Sequence, residues 1–460
     1  MGQAPAQQSR GNPPPSAPAQ TPAAAENPAS SAAPPPKPPQ PTEFPPPVAR
    51  TIDWLQQRYG DWYRANPPPM PDRFTRREFG FILWPERPGP PPFIRHRAYD
   101  AADRFHWYLQ KAGPHSVYYS TAYYRRPGEM KMADKQWLGA ELIFDLDADH
   151  LAEAEKAKAD GHEMPLGKQL DLVKGQFKRL LDDFLFGDFG LTESDVWITF
   201  SGGRGYHAHV VEERLLQLGS KERREIVDYI TGKAPVEKGT DKPDLSAFIW
   251  ETAVSAATFQ GRTSKTTQER MAPASAPGWP GRITRTLAST LRTRVLEADP
   301  KEARKWLTSI EGIGDTRARN FLERFDQDTL ARIEQGFIDQ GRVVRSICED
   351  LLRQATIPLA KGETDEPVTA DVKRLIRLPG SLHGKSGLKV VTLRRDELDG
   401  FEPLRDAVAF SMDPVRIVPR NDQEMTLQGE RVAVKKGEAV DVPEAHAVFW
   451  CARQAGTIVQ

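Results

Sequence analysis

The stretch Leu142-Ile143-Phe144-Asp145-Leu146-Asp147-Ala148-Asp149-His150 passes from apolar to acidic within a few residues. Successive side chains of a strand point to opposite faces, so Asp145 and Asp147 share one face while Leu142, Phe144 and Leu146 line the other. Two carboxylates that close repel each other outside bulk water unless a cation neutralises them, and a site offering only oxygen suits Mg²⁺ or Mn²⁺. A strand that simply ends in a polar turn would also carry such aspartates. The remainder of the chain has to separate these two readings.

Downstream, Asp195-Val196-Trp197-Ile198-Thr199-Phe200 reads as a strand that delivers Ser201-Gly202-Gly203-Arg204-Gly205-Tyr206-His207 to its end. Glycines let a backbone approach a ligand and present its N–H groups, which suits phosphate. Arg204 adds a forked cation and His207 a further donor. No Gly-Lys-Ser/Thr follows, so the loop is not a P-loop. A third segment runs from Arg374 through Leu375-Ile376-Arg377-Leu378-Pro379-Gly380-Ser381-Leu382-His383-Gly384-Lys385. Pro379 and Gly380 stop a strand, and Arg377, His383 and Lys385 are spaced to converge on one polyanion. Taken singly, these are a glycine turn and a basic turn. Taken with the acidic pair, all attached to strand ends, they share one explanation: a nucleotide bound with its metal ions.

With 460 residues the chain has room for more than one core. It carries 63 basic and 63 acidic residues, so no global field draws it to nucleic acid and such contacts must be local. Cys348 and Cys451 are too few and too distant for a disulfide framework or a cysteine-based zinc site, which points to a reducing compartment. No apolar run reaches the roughly 20 residues of a membrane span, and no secretory signal opens the chain. A cytoplasmic protein without a membrane partner is expected.

Residues 1–48 are rich in Pro, Ala, Gln and Ser and are expected to form a disordered arm. Beyond it, Ile52, Trp54, Leu55 and Tyr59 repeat at helical spacing, Phe81 to Trp84 reads as a strand, and Val117 to Tyr124 and Trp137 to Asp147 read as neighbouring strands. Leu151 to Ala159 and Leu166 to Phe186 read as helices. Residues 212–340 read as a mostly helical insertion, with a loop from Thr263 to Pro280. Strands return at Leu375 and Leu388. The expected fold is α/β (α+β), a mixed sheet built from residues 49–211 and 341–460 around that insertion. Ile310 to Leu322, with Gly312-Ile313-Gly314, resembles a helix-hairpin-helix turn that contacts phosphate, although with a single copy a plain packing turn is the favoured reading. Tyr118, Tyr119 and Tyr123 are candidates for stacking on a base, or ordinary core aromatics.

The three ordered segments resemble the signature motifs of the catalytic small subunit of archaeal and eukaryotic DNA primase. Arg77-Glu78-Phe79-Gly80-Phe81, Tyr118-Tyr119-Ser120 and Lys135-Gln136-Trp137 are similar to residues that family carries in the same places. The resemblance covers the chain from about Thr51 onward. It implies that Asp145 and Asp147 bind metal, with Asp365 as third catalytic carboxylate and Asp371 its competitor. It implies that Ser201, Arg204 and His207 hold the nucleotide's phosphates, with Arg377 and His383 opposite. The activity implied is synthesis of short primers on single-stranded DNA from nucleoside triphosphates, using two Mg²⁺ or Mn²⁺ ions, in a heterodimer with a large primase subunit. A primase-like repair polymerase for gap filling or end joining, or a non-catalytic nucleic-acid-binding subunit, are the alternatives. Many members carry a zinc knuckle between the first two motifs. Here that stretch has no Cys, and His150 and His162 cannot supply four ligands, so no structural zinc is expected.

Overall fold

The computed structural model describes residues 43–459, apart from 162–163, 234–250, 260–261 and 339–341. Most of the proline-rich arm, and His162, lie outside the described residues. The first helix is Pro46–Ala65, so regular structure starts slightly before the expected end of the arm. Proline at the first helical turn explains the early start, since its fixed φ suits that position and its missing N–H is not needed there.

Twelve strands concern the site and its surroundings: β1 (Phe79–Ile82), β2 (Phe93–Arg97), β3 (Ser116–Ser120), β4 (Ala122–Tyr124), β5 (Trp137–Ala140), β6 (Leu142–Asp147), β7 (Val196–Phe200), β8 (Gly205–Val210), β9 (Glu251–Phe259), β10 (Arg262–Arg270), β11 (Leu375–Arg377) and β12 (Val391–Leu393). The α+β core is built on two four-stranded sheets, ordered β11-β3-β1-β2 and β12-β7-β8-β6. All of their strand pairs are antiparallel. A C-terminal three-stranded sheet and a hairpin, Gln423–Leu427 with Glu430–Val434, complete this part of the chain.

The apolar face of β6 is buried as the alternation requires, with Leu142, Phe144 and Leu146 in the main core. Helix Leu166–Arg179 closes over that sheet, burying Leu170, Val173 and Phe177; the Phe177 ring stacks on Tyr206 of β8 at 5.4 Å.

Two expected strands are each broken once. Val117 to Tyr124 divides at Thr121 between β3 and β4, and Trp137 to Asp147 divides at Glu141 between β5 and β6; β4 pairs with β5, whereas β6 pairs with β8. Buried arginines take up the main-chain groups at both breaks. Arg77 donates to the Ser120 carbonyl at 2.7 Å and pairs with Glu141, both side chains being 1% exposed. Arg223, also buried, donates to the Ala140 and Glu141 carbonyls at 2.7 and 2.8 Å, so these carbonyls bond to side chains instead of a strand neighbour. Glu141 N–H then donates to Thr121 O at 3.0 Å, tying the two breaks together.

The inserted region is less helical than expected. Helices Gly278–Leu291, Pro300–Thr308, Asp315–Leu322 and Gln327–Glu334 are present, but β9 and β10 form a long antiparallel hairpin, with Arg262 opposite Phe259 and Arg270 opposite Glu251. The expected loop from Thr263 is therefore strand as far as Arg270. Its polarity suggested a loop, whereas the recurring β-branched Thr residues favour a strand. At the Gly312 turn, which has φ +86, Arg317 folds back onto the Gly312 carbonyl and pairs with Asp350 at 2.8 Å.

Candidate active site

Pairing of β6 with β8 sets Asp145 opposite His207 and Asp147 opposite Gly205. The two carboxylates and the imidazole therefore lie on one face of one sheet. Asp365 comes from a distant part of the chain, at the start of the short helix Glu366–Ala370. Its N–H donates to the Asp145 carbonyl at 2.9 Å, so a backbone hydrogen bond fixes it beside the pair. Asp145, Asp147 and Asp365 line a common cavity of about 220 Å³. Asp371 follows the same helix but is exposed, and its carboxylate accepts from Lys373 N–H at 2.8 Å. It is Asp365, not Asp371, that the fold brings to the pair.

Burial raises the Asp145 carboxyl well above the ordinary carboxylate range, and the charges of Asp147 and Asp365 push it further the same way. Its Oδ1 is buried without a hydrogen-bond partner. His207 Nε2 lies 3.5 Å away, but burial, His209 and the arginines Arg377 and Arg374 hold the His207 pKa well below its usual value, so the ring is neutral and offers no counter-charge. A buried anion with like-charged neighbours and an unpaired oxygen is the environment a hard cation relieves. Among the described residues, no three His, Cys, Asp or Glu side chains are gathered closely enough to form a preassembled metal cluster.

A larger cavity, about 620 Å³, opens onto Asp145 and Asp147 and is lined from the β11-β3-β1-β2 sheet by Tyr118 and Arg377, with Arg374 just ahead of β11. Arg377 lies opposite Tyr118 in the β11–β3 pairing, its guanidinium 5.1 Å from that ring, with Nη1 lacking a hydrogen-bond partner. Ser201, Arg204, His207 and His383 line it too, so every expected phosphate ligand faces one space. Tyr118 is the one candidate stacking tyrosine there. Tyr119 and Tyr123 are buried instead, their rings 4.9 and 4.4 Å from the Arg77 guanidinium.

The glycine loop is shaped by its neighbours more than by open space. A Cβ on Gly205 would lie 2.1 Å from Asp147 Oδ1, and one on Gly202 or Gly203 would lie 2.7 or 2.9 Å from atoms of His383. Gly202 also has φ +75. The glycines thus bring the carboxylate and the imidazole close to the loop. The Ser201 hydroxyl accepts from Gly203 and Gly205 N–H at 3.3 and 3.2 Å, bracing the turn. Arg204 is paired with Asp149 at the rim.

His383 is oriented by Ser386. The Ser386 hydroxyl donates to Gly202 O at 2.5 Å, leaving its oxygen to accept from His383 Nδ1 at 3.0 Å. The neutral ring therefore carries its lone pair on Nε2. Burial, with Arg377 and His115 nearby, holds its pKa well below normal. Sequence reasoning assigned no role to Arg374, Arg453 or Phe449, which also line the cavity. Arg374 stands at the head of the third segment and was legible there; Arg453 and Phe449 lie in the C-terminal helical segment with no local signal.

Clustered acidic oxygens across one cavity from arginine and histidine, on paired antiparallel sheets, define a nucleotidyl-transfer site. A profile of the DNA primase small subunit family matches residues 144–395. Proteins named DNA primase small subunit PriS from Methanothrix thermoacetophila and Methanocella arvoryzae are each 38% identical over 411 residues, covering 88% of this chain and 98% of theirs. The protein of that name from Halobacterium salinarum is 37% identical over 407 residues, covering 88% and 97%. The chain belongs to the DNA primase small subunit family, and it is a primase catalytic subunit of DNA replication. No helix among the described residues is long and apolar enough to cross a membrane.

Proposed function

We propose that this chain starts primers de novo on single-stranded DNA from nucleoside triphosphates, in the cytoplasm, as a heterodimer with a large primase subunit. The observation that carries the reading is the backbone hydrogen bond from Asp365 to Asp145, because it adds a third carboxylate to an acidic pair that already faces a cationic cavity.

Asp145, Asp147 and Asp365 would hold two divalent ions, Mg²⁺ or Mn²⁺, and the unpaired Asp145 Oδ1 supports that fit. When bound, such ions activate a 3′ hydroxyl and stabilise departing pyrophosphate. The protein's own residues bind and orient the substrate. Arg377, with a free Nη1 beside Tyr118, meets a phosphate oxygen. His383 faces the same charge through Nε2 and takes up a proton there as the anion arrives, with Ser386 holding the ring in place. His207 sits between the acidic and basic sides in the register that places it opposite Asp145. Arg204 changes partner from Asp149 to phosphate. Most of the catalytic effect is then positioning and electrostatics.

The test is primer synthesis on a single-stranded template lacking any 3′ end, with Mg²⁺ or Mn²⁺, with and without a candidate large subunit. Labelled products initiated from nucleoside triphosphates are expected. Extension that strictly requires a supplied 3′ end would move the chain to the repair polymerases, and no incorporation at all would make it a binding subunit.

A further inference from the structure

A second cationic cavity, about 320 Å³, lies away from the catalytic one, between the end of helix Leu166–Arg179 and helix Gly278–Leu291. Its charged lining is Arg179, Arg282 and Arg285 against one carboxylate, Asp183, with the hydroxyls of Thr286, Ser289 and Thr290 beside them.

Arg282 is 3% exposed. Its Nη2 donates to Asp183 O at 2.7 Å and to Asp188 Oδ2 at 2.6 Å, while Nε and Nη1 have no hydrogen-bond partner. The guanidinium carbon lies 3.8 Å from the Phe184 ring centroid. Asp188 and the Phe184 and Trp279 rings fix Arg282 as a charged wall of the cavity, its unpartnered nitrogens closed to solvent, so direct contact with a ligand falls to Arg179 and Arg285. Arg179 and Arg285 donate to main-chain carbonyls, of Leu359 in the first case and of Ala274 and Ala276 in the second. These partners are neutral carbonyls, so the charge of both arginines stays available.

We propose that this cavity binds a backbone phosphate of the DNA strand being copied. The proposal rests on the primase reading above. Arginine forks with hydroxyls, and no apolar base-sized slot, suit phosphate and carry no sequence information. Location favours a strand that also passes the active site. The first turn of helix Leu166–Arg179 lines the catalytic cavity through Leu166 and Gln169, and its last residue, Arg179, lines this one. A 14-residue helix at about 1.5 Å per residue spans on the order of 20 Å. At about 3.4 Å per base-pair step, that is roughly six steps of duplex.

The experiment measures binding of the full chain to two primer–templates across a salt series, one with about ten base pairs upstream of the 3′ end and one with about three. In R179Q/R285Q, affinity for the longer duplex should fall about three- to tenfold. The slope of log affinity against log salt should flatten by about one, the signature of one lost phosphate contact. The shorter duplex should bind as to wild type. R179E alone, which leaves the Arg285 main-chain bonds intact, should show the same selectivity; thermal melting checks that both variants fold. Unchanged affinity and slope on the long duplex, or equal losses on both duplexes, overturns the proposal. Failure of wild type to bind or extend either substrate would instead indict the primase reading.

Discussion

Glu141 and Asp145 lie four residues apart on one segment of chain, and the protein drives their carboxyl groups in opposite directions. Burial alone would raise both. At Glu141, Arg77 and His209 outweigh it and bring the carboxyl down to about 2. At Asp145 the neighbours are two more carboxylates, and the group is raised well above normal. The ingredients are the same around both carboxylates: acids, arginines, tyrosines and histidines. Around Glu141, Arg77, Tyr123 and His209 all bond to the carboxylate, leaving over only His209 Nε2, and Glu78 is matched by Arg95 and Lys135. Around Asp145, the carboxylate itself, His207 and Arg377 all have buried polar atoms without partners. Fuller internal pairing marks the wall, and the larger shortfall marks the place where a substrate completes the set.

The sharpest way to break this contrast is D145A/D147A. Primer synthesis should drop by at least about a thousandfold, while the melting temperature holds or rises because like charges have been removed. Activity in the folded double variant would end the assignment. D365N should come close to the same loss and D371N should leave activity near wild type; the reverse pattern would exchange their roles. Cutting the Arg77–Glu141 network should act on stability instead. R77M leaves Glu141 buried beside Tyr123 and His209 but without its arginine counter-charge, and should cost about 3–5 kcal/mol by denaturant titration, with activity per folded molecule much less affected.

A pH series sharpens the same point. The Glu141 carboxyl falls from an ordinary 4.5 to about 2 on folding, so it stabilises the native state above pH 4.5, and that contribution is lost as pH falls through about 2. Unfolding free energy should decline by about 3 kcal/mol across this window, and E141Q should flatten that part of the curve. Smallest is R377K, which keeps the charge but loses the fork. The nucleotide KM should rise about tenfold with kcat nearly unchanged.

The acidic strand, the glycine loop and the basic turn were legible because each is a local pattern of alternation, glycine and charge. Convergence of Asp365 with Asp145 was not, since it depends on one long-range main-chain contact; only the family resemblance suggested it. The strand breaks at Thr121 and Glu141 were hidden for a related reason. They coincide with where the Arg77 and Arg223 guanidiniums sit, and no local propensity near residue 121 or 141 reports a guanidinium brought in from a loop or a helix. Glycine misled in a milder way: Gly202, Gly203 and Gly205 suggested room for a ligand's phosphate, and the room is taken up by His383 and Asp147. Arg374 could have been found, since it opens the basic segment, whereas Arg453 and Phe449 reach the cavity only through tertiary packing.

The N–H of Asp365 resting on the carbonyl of Asp145 has one further effect, on how the chain can vary. Because a main-chain bond seats the third acid directly on β6, and Ile230 O accepts from Gly362 N–H at 2.8 Å just before that acid, the spacing is held from both sides of the later part of the excursion, the β9–β10 hairpin and the helices from Gly278 to Glu334. Loop-closure cost grows only slowly with length. That later part is therefore free to grow, shrink or acquire new contacts while the catalytic trio keeps its geometry.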